Sequence, residues 1–240
     1  MDLRENRKTL LEPLSHESNG GLHSSLIIPM ADYEHHIFVS YRRWDRPWVR
    51  WTRENFAEPL GSILSPALGN VKIFADEKLD VGVSWPLELA RAHTHSRLLI
   101  PILSRDYFRS GWCRLELALM YHRQKERRYR AVDEEHVLIL PLVIDDGESF
   151  PPEVQEMQRF ERIPREFTNP FMRPDSRRQE EFADWLMSTC RERVIDALDK
   201  VPQFQAGWGQ VAHDQFKEMF RIKIGAQKTL PKLALLPISK

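Results

Sequence analysis

No glycine-rich phosphate loop occurs in this chain. Its ten glycines form neither G-x-G-x-x-G nor G-x-x-x-x-G-K-[ST], which disfavours dinucleotide binding of the usual Rossmann kind and P-loop phosphoryl transfer. Cysteine is equally scarce. Cys113 and Cys190 stand far apart, so there is no disulfide framework and no metal-type pair, and a reducing, cytoplasmic setting is expected. An excess charge of one sign is missing too, because 35 Lys and Arg balance 35 Asp and Glu. No global field then draws the protein to nucleic acid or to an anionic membrane. The longest apolar stretch, Val137 to Ile144, is far below the roughly 18 residues that cross a bilayer. Asp2, Arg4 and Glu5 stand at the start with no apolar core after them, so no secretory signal is expected there, and a soluble protein is.

At 240 residues the chain has room for one domain of ordinary size plus appendages. Residues 1–33 are polar and aperiodic, with Ser18-Asn19-Gly20-Gly21 among them, and read as a flexible leader. Beyond them short apolar runs alternate with amphipathic ones. His36 to Ser40 is a buried strand, and Trp48, Trp51, Phe56 and Leu60 mark the helix after it. Val71 to Phe74 is a second strand, followed by a loop and a helix with Pro86 in its first turn, running to about His95. Arg97 to Leu103 and Val137 to Ile144 are further strands, each interrupted by a proline, Pro101 and Pro141. A weak fifth strand lies near Phe160 to Ile163. One long helix is expected over about Arg178 to Leu198, where Phe182, Leu186, Cys190, Val194 and Leu198 recur at helical spacing.

Strands alternating with helices predict a parallel sheet covered on both faces, with ligands outside the strand C-termini. That rule points to Ser40 to Asp45, to the loop after Phe74, and to the entry of the segment Ser110-Gly111-Trp112-Cys113-Arg114-Leu115-Glu116. Glu116 is the anomaly there, one carboxylate inside an apolar helical run. Ser110 can bond the free amide hydrogens of the first turn. Trp112, Cys113 and Glu116 lie four and three residues apart, hence on one face. An indole and a thiol beside a carboxyl should partly desolvate it and raise its pKa, which suits electrostatic or acid/base chemistry. A structural ion pair is the plainer reading. A phospho-acceptor receiver fits badly, because the third strand ends Leu103-Ser104 instead of in Asp.

Three motifs in order, Phe38-Val39-Ser40-Tyr41-Arg42-Arg43, Asp76-Glu77-Lys78-Leu79-Asp80-Val81-Gly82 and Ser110-x-x-Cys113-x-x-Glu116, resemble the TIR (Toll/interleukin-1 receptor) domain. The resemblance covers about residues 34–200 and leaves 201–240 as a C-terminal extension that docks on the domain or on a partner. It implies a flavodoxin-like α/β fold, a five-stranded parallel sheet with helices on both faces. Some members of that family relay signals by self-association, and others cleave the nicotinamide-ribose bond of NAD with a glutamate matched here by Glu116. The Trp112-x-x-x-Glu116 spacing resembles the catalytic branch, whose prokaryotic members serve antiphage defence. The resemblance thus implies an NAD nucleosidase with NAD as substrate and no separate cofactor. Its partners would be other TIR domains, with an upstream sensor or downstream effector, and its product ADP-ribose or a cyclic isomer.

For the matched positions the resemblance suggests roles. Arg42 and Arg43 would meet the pyrophosphate or ribose, one of them being only a surface residue. Trp112 would wall the nicotinamide pocket or serve as a core aromatic. The resemblance puts Asp80, Ser84 and Trp85 in the loop that covers the pocket; the plainer reading has Asp80 capping the next helix and Trp85 stapling it. Cys113 lacks a neighbouring His to activate it and reads as packing. His93 and His95 read as exposed rather than as a metal pair. The basic cluster of Arg123, Lys125, Arg127, Arg128 and Arg130 precedes Asp133, Glu134 and Glu135 and reads as a solvated helix end. Two other function classes stay open: a non-catalytic adaptor that self-assembles, and a hydrolase of free nucleosides.

Overall fold

The computed structural model describes residues 33–43, 46–75, 85–128, 137–144, 150–155, 161–205 and 207–225. Five strands form one parallel sheet, β1 (His35–Tyr41), β2 (Ile73–Ala75), β3 (Ser96–Leu103), β4 (Leu142–Val143) and β5 (Glu161–Arg162), in the order β2-β1-β3-β4-β5. This is the flavodoxin-like order. The two central strands carry near-continuous apolar runs, as strands covered on both faces must. Ile37 pairs with Ile73 on one side and Leu98 on the other, and Ile37, Phe38, Val39, Leu98, Leu99 and Ile100 are all buried. The edge strand β2 is only half-buried.

The two prolines explain why β4 is so short. Leu99 N–H donates to Leu138 O (2.9 Å), Leu140 N–H to Leu99 O (2.9 Å) and Ile144 N–H to Leu103 O (3.0 Å). Alternate residues of a strand turn their backbone groups to the same neighbour, so Pro101 presents its missing N–H to this seam, where Pro141 also sits. The ladder therefore breaks into an isolated bridge at Leu99↔Ile139 and a separate pair at Leu142–Val143.

The helices fall into two groups that pack among themselves. α1 (Arg46–Arg50) leads into a π-helical stretch, Trp51–Ala57, and then α2 (Glu58–Leu68), which packs with α6 (Arg177–Thr189) and α7 (Arg191–Asp199). Trp51, Phe56 and Leu60 are fully buried here, and Trp51 Nε1–H donates to Phe167 O at 2.9 Å. A π stretch shifts carbonyls out of helical register. The Glu54 carbonyl accepts from the Gln179 side chain at 3.1 Å instead. The long helix expected over Arg178 to Leu198 is two helices, broken at Cys190. Its apolar face nevertheless runs straight through the break, which is why spacing could not reveal it. A short helix, α5 (Pro152–Gln155), precedes β5.

On the other side α3 (Trp85–Thr94), α4 (Gly111–Arg128) and α8 (Gly207–Gly225) pack together. Arg123 corrects the reading of a solvated basic helix end: it is buried at 5% exposure. Nη1 donates to Ser96 O at 2.9 Å, Nη2 donates to the Tyr33 hydroxyl at 2.6 Å, and the guanidinium lies 4.1 Å from the ring centre of Trp208. A desolvated guanidinium over an indole is attracted by the ring quadrupole, so this contact ties α8 to α4. Residues 1–32 of the expected leader and 226–240 of the extension lie outside the described residues, while Tyr33, the leader's last residue, is buried.

Candidate functional site

Because the strands are parallel, β1 and β3 end at the same edge of the sheet, and there Ser40, Tyr41 and Arg42 meet the start of α4. Ser110 caps that helix as its sequence predicts, its Oγ accepting from Cys113 N–H at 3.3 Å. One turn further in, Glu116 is buried at 7% exposure, and its Oε2 lies 2.5 Å from Ser40 Oγ, which donates to it. Ser40 Oγ also lies 2.8 Å from the hydroxyl of Tyr107, in the 3₁₀ turn Tyr107–Arg109, and that hydroxyl lies 3.0 Å from Cys113 O. A carboxyl thus sits at the functional edge of an α/β sheet, held by a hydroxyl from the central strand.

Arg42 follows directly. Its side chain is half-buried, and its Nε is buried without a hydrogen-bond partner among the described residues. The guanidinium lies near enough to Cys113 to pull that thiol downward, but burial dominates, with the Glu116 carboxylate adding to it, and pushes the thiol far above the ordinary range. Cys113 Sγ donates to Tyr41 O at 3.4 Å. A protonated, buried thiol with a carbonyl partner is no nucleophile, in agreement with its reading as packing.

His93 is a correction. Expected to be exposed, it is buried at 4%, because α3 turns this face onto β1 and α8. Its Nε2 lies 2.9 Å from the Glu116 carbonyl, and since a carbonyl can only accept, Nε2 carries the proton. The ring contacts Phe38 edge-on at 5.3 Å and Phe216 at 6.1 Å, and Phe216 stacks on Trp112 at 5.6 Å. An aromatic column thereby runs from the sheet through α3 to α8 and α4.

The column has a pH dependence. Burial lowers the His93 pKa to about 4. It does the same for His36, whose Nδ1 accepts from Lys72 N–H at 3.1 Å. The unfolded chain takes up these protons near pH 6.5 and the folded chain only near 4. Stability is thus fully present above 6.5 and falls as pH drops through that window. For His93 the loss is on the order of 3 kcal/mol. Thermal melts between pH 7.5 and 4.5 are expected to show a falling Tm, with a shallower slope in His93→Gln, which keeps an N–H for the carbonyl. Equal slopes would contradict the assignment.

Of the expected residues, Glu116 meets Ser40 at the end of β1, and Arg42 follows two residues on, both charges acting on Cys113. Arg43 is exposed at the end of β1. Trp112 is half-buried and stacked on Phe216, so the residue read as a pocket wall is at least partly a packing contact for α8. Asp80 and Ser84 lie outside the described residues, as does the side chain of Trp85, whose backbone opens α3. Ser40, Tyr107 and His93 were not foreseen as neighbours of Glu116. Among the described residues no cluster of His, Cys, Asp and Glu could hold a metal ion. Nor is any helix there long and apolar enough to cross a membrane.

Comparison with known proteins gives the chain's relatives. A family described as TIR domain matches residues 37–169. The disease resistance protein RUN1 of Vitis rotundifolia is 33% identical over 92 residues, covering 38% of this chain and 6% of that protein. The match thus spans only a small fraction of that relative's length. A solved structure, described as the activated Roq1 resistosome directly recognizing the pathogen effector XopQ (TIR domains), is similar at 19% identity and a TM-score of 0.33, covering 78% of this chain and 98% of the other.

Proposed function

Since this chain belongs to the TIR domain family, we propose that it is an NAD glycohydrolase or cyclase that uses Glu116 to cleave the nicotinamide-ribose bond. The products are nicotinamide and ADP-ribose or a cyclic ADP-ribose isomer, made in antiphage or cell-death signalling. The observation that carries this reading is the buried Glu116 carboxyl at the carboxyl edge of the sheet, held by Ser40 and close to the end of β1 where Arg42 begins. When the bond to nicotinamide breaks, its electron pair leaves with the pyridine and the ribosyl carbon becomes oxocarbenium-like. A fixed negative charge in a water-poor site stabilises that cation far better than water does. Water or an internal nucleophile then captures it. Arg42, with a buried Nε donor, is suited to a phosphate or ribose oxygen of the substrate, and Arg43 to the more exposed part of the dinucleotide.

Self-association is the second half of the proposal. β2 ends at Ala75 and α3 begins at Trp85, and the intervening residues include Asp80, Gly82 and Ser84. A loop closed by docking on another TIR domain would complete the site, with Asp80, Ser84 and Trp85 as its substrate contacts. Purified protein incubated with NAD over a concentration series is expected to release nicotinamide, with turnover per protomer rising as light scattering reports association. Constant turnover from a demonstrated monomer upward would reject the assembly step. No nicotinamide from folded protein at any concentration would reject catalysis and leave the adaptor that signals by self-association.

A further inference from the structure

Counting protons along the hydrogen-bond chain behind Glu116 gives its direction. Ser40 has one hydroxyl proton and two close oxygens, Glu116 Oε2 at 2.5 Å and the Tyr107 hydroxyl at 2.8 Å. An ionised carboxylate only accepts, so the serine proton points to Glu116 and Ser40 must accept from Tyr107. Tyr107 also has one proton, and two acceptors compete for it: Ser40 Oγ and Cys113 O, the latter at 3.0 Å. The Cys113 carbonyl lies within α4, and so has a backbone partner of its own. Tyr107 donates to that carbonyl, whose second lone pair is open, and shares the same proton with the closer serine oxygen.

We propose that Tyr107 and Ser40 are positioning residues for the reaction, Tyr107 donating to Ser40 and Ser40 donating to Glu116, so that the chain fixes the carboxylate through one oxygen. The inference rests on the NAD-cleaving reading of Glu116. Hydrogen bonds in series polarise one another, and a donor aimed at the charged form of a carboxylate favours that form. The chain thus supports the charged form that the developing cation needs. Tyr107 is fully buried, and burial, with Cys113 and Glu116 adding to it and outweighing the opposing Ser40 hydrogen bond, pushes its phenol well above the ordinary range, so it keeps its proton at every working pH. The described groups facing the carboxyl come from four elements: Ser40 and Arg42 from β1 and its end, Tyr107 from the 3₁₀ turn, Cys113 from α4, and His93 from α3, which reaches the Glu116 carbonyl and carries no charge above about pH 4. None of the others supplies a proton to Ser40.

The test is the pH profile of kcat/KM for nicotinamide release, with wild type, Ser40→Ala, Tyr107→Phe and Ser40→Thr compared. Ser40→Ala is expected to lower kcat about 10- to 100-fold with KM little changed. Its acid limb should move up by about one pH unit. Tyr107→Phe should move the limb the same way by less, and Ser40→Thr, which restores the hydroxyl, should return it toward wild type. A purely structural role would lower Tm in the variants and leave the limb in place. A second readout needs no turnover: the ¹³C carboxyl resonance of Glu116, assigned by its loss in Glu116→Gln, titrates with a higher midpoint in Ser40→Ala than in wild type. If wild type releases no nicotinamide, the proposed function fails while the carboxyl midpoint still decides the hydrogen-bond chain. An unmoved limb and an unmoved midpoint in folded Ser40→Ala and Tyr107→Phe would overturn the inference.

Discussion

Phe216→Ala is expected to release the C-terminal helix from the domain. Phe216 is fully buried between the His93 ring of α3 and the Trp112 indole of α4, and removing a buried phenyl costs about 3–5 kcal/mol, transfer and cavity together. α8 is also tied by the buried Ala212, by the Arg123–Trp208 stack and by the edge-on contact of Trp208 with Phe204. With that central anchor gone, the helix is expected to open on its own before the sheet does. Amide exchange over 207–225 should therefore accelerate about 10²- to 10³-fold, while the amides of β1 and β3 keep their protection. Trp112, losing its stacking partner, should red-shift its fluorescence toward that of a solvated indole. Unchanged exchange in α8 would show that its attachment lies elsewhere.

That helix also marks the limit of what the sequence made legible. The central strands announced themselves, because runs such as Ile37-Phe38-Val39 and Leu98-Leu99-Ile100 are apolar on both faces, which only a strand buried on both sides requires. The start of α4 was legible from Ser110, whose cap is a local interaction three residues long. So was the burial of Glu116, since a lone carboxyl in an apolar run must lie inward with its neighbours. The surroundings of Glu116 were not. Ser40 and Tyr107 are 67 residues apart in the chain, and Glu116 and Ser40 are 76 apart, so no periodicity links them. His93 was misjudged because its burial comes from α8, beyond the reach of the helical pattern of α3. Trp112 was read toward the pocket because Phe216 could not be foreseen as its partner. The break at Cys190 was hidden for the opposite reason: Phe182, Leu186, Cys190, Val194 and Leu198 all stay buried across it, so the spacing is that of one continuous helix.

Glu116→Gln carries the largest expected effect on function. The amide has nearly the shape of the carboxylate and can still accept from Ser40 Oγ, whose bond to Oε2 holds the side chain in place. What it lacks is the negative charge. A ribosyl cation forming beside a neutral amide gains little electrostatic stabilisation, and loss of one positioned catalytic group costs about 10²- to 10⁴-fold in rate. Because the charge matters most once positive charge has developed on the ribose, the loss should fall on kcat and spare KM. Folding should be unharmed or improved, since a buried carboxylate is dearer to desolvate than an amide. Tm equal to or above that of wild type, with turnover almost gone, separates a catalytic carboxylate from one that merely completes a core.

Nicotinamide release is the measurement that decides the account: wild type and Glu116→Gln, matched in folded concentration by circular dichroism, are incubated with NAD under the conditions that favour association, and free nicotinamide is followed by chromatography. The account predicts steady release by wild type and a rate lower by about 10² or more in the variant. Equal rates from the two proteins would contradict it.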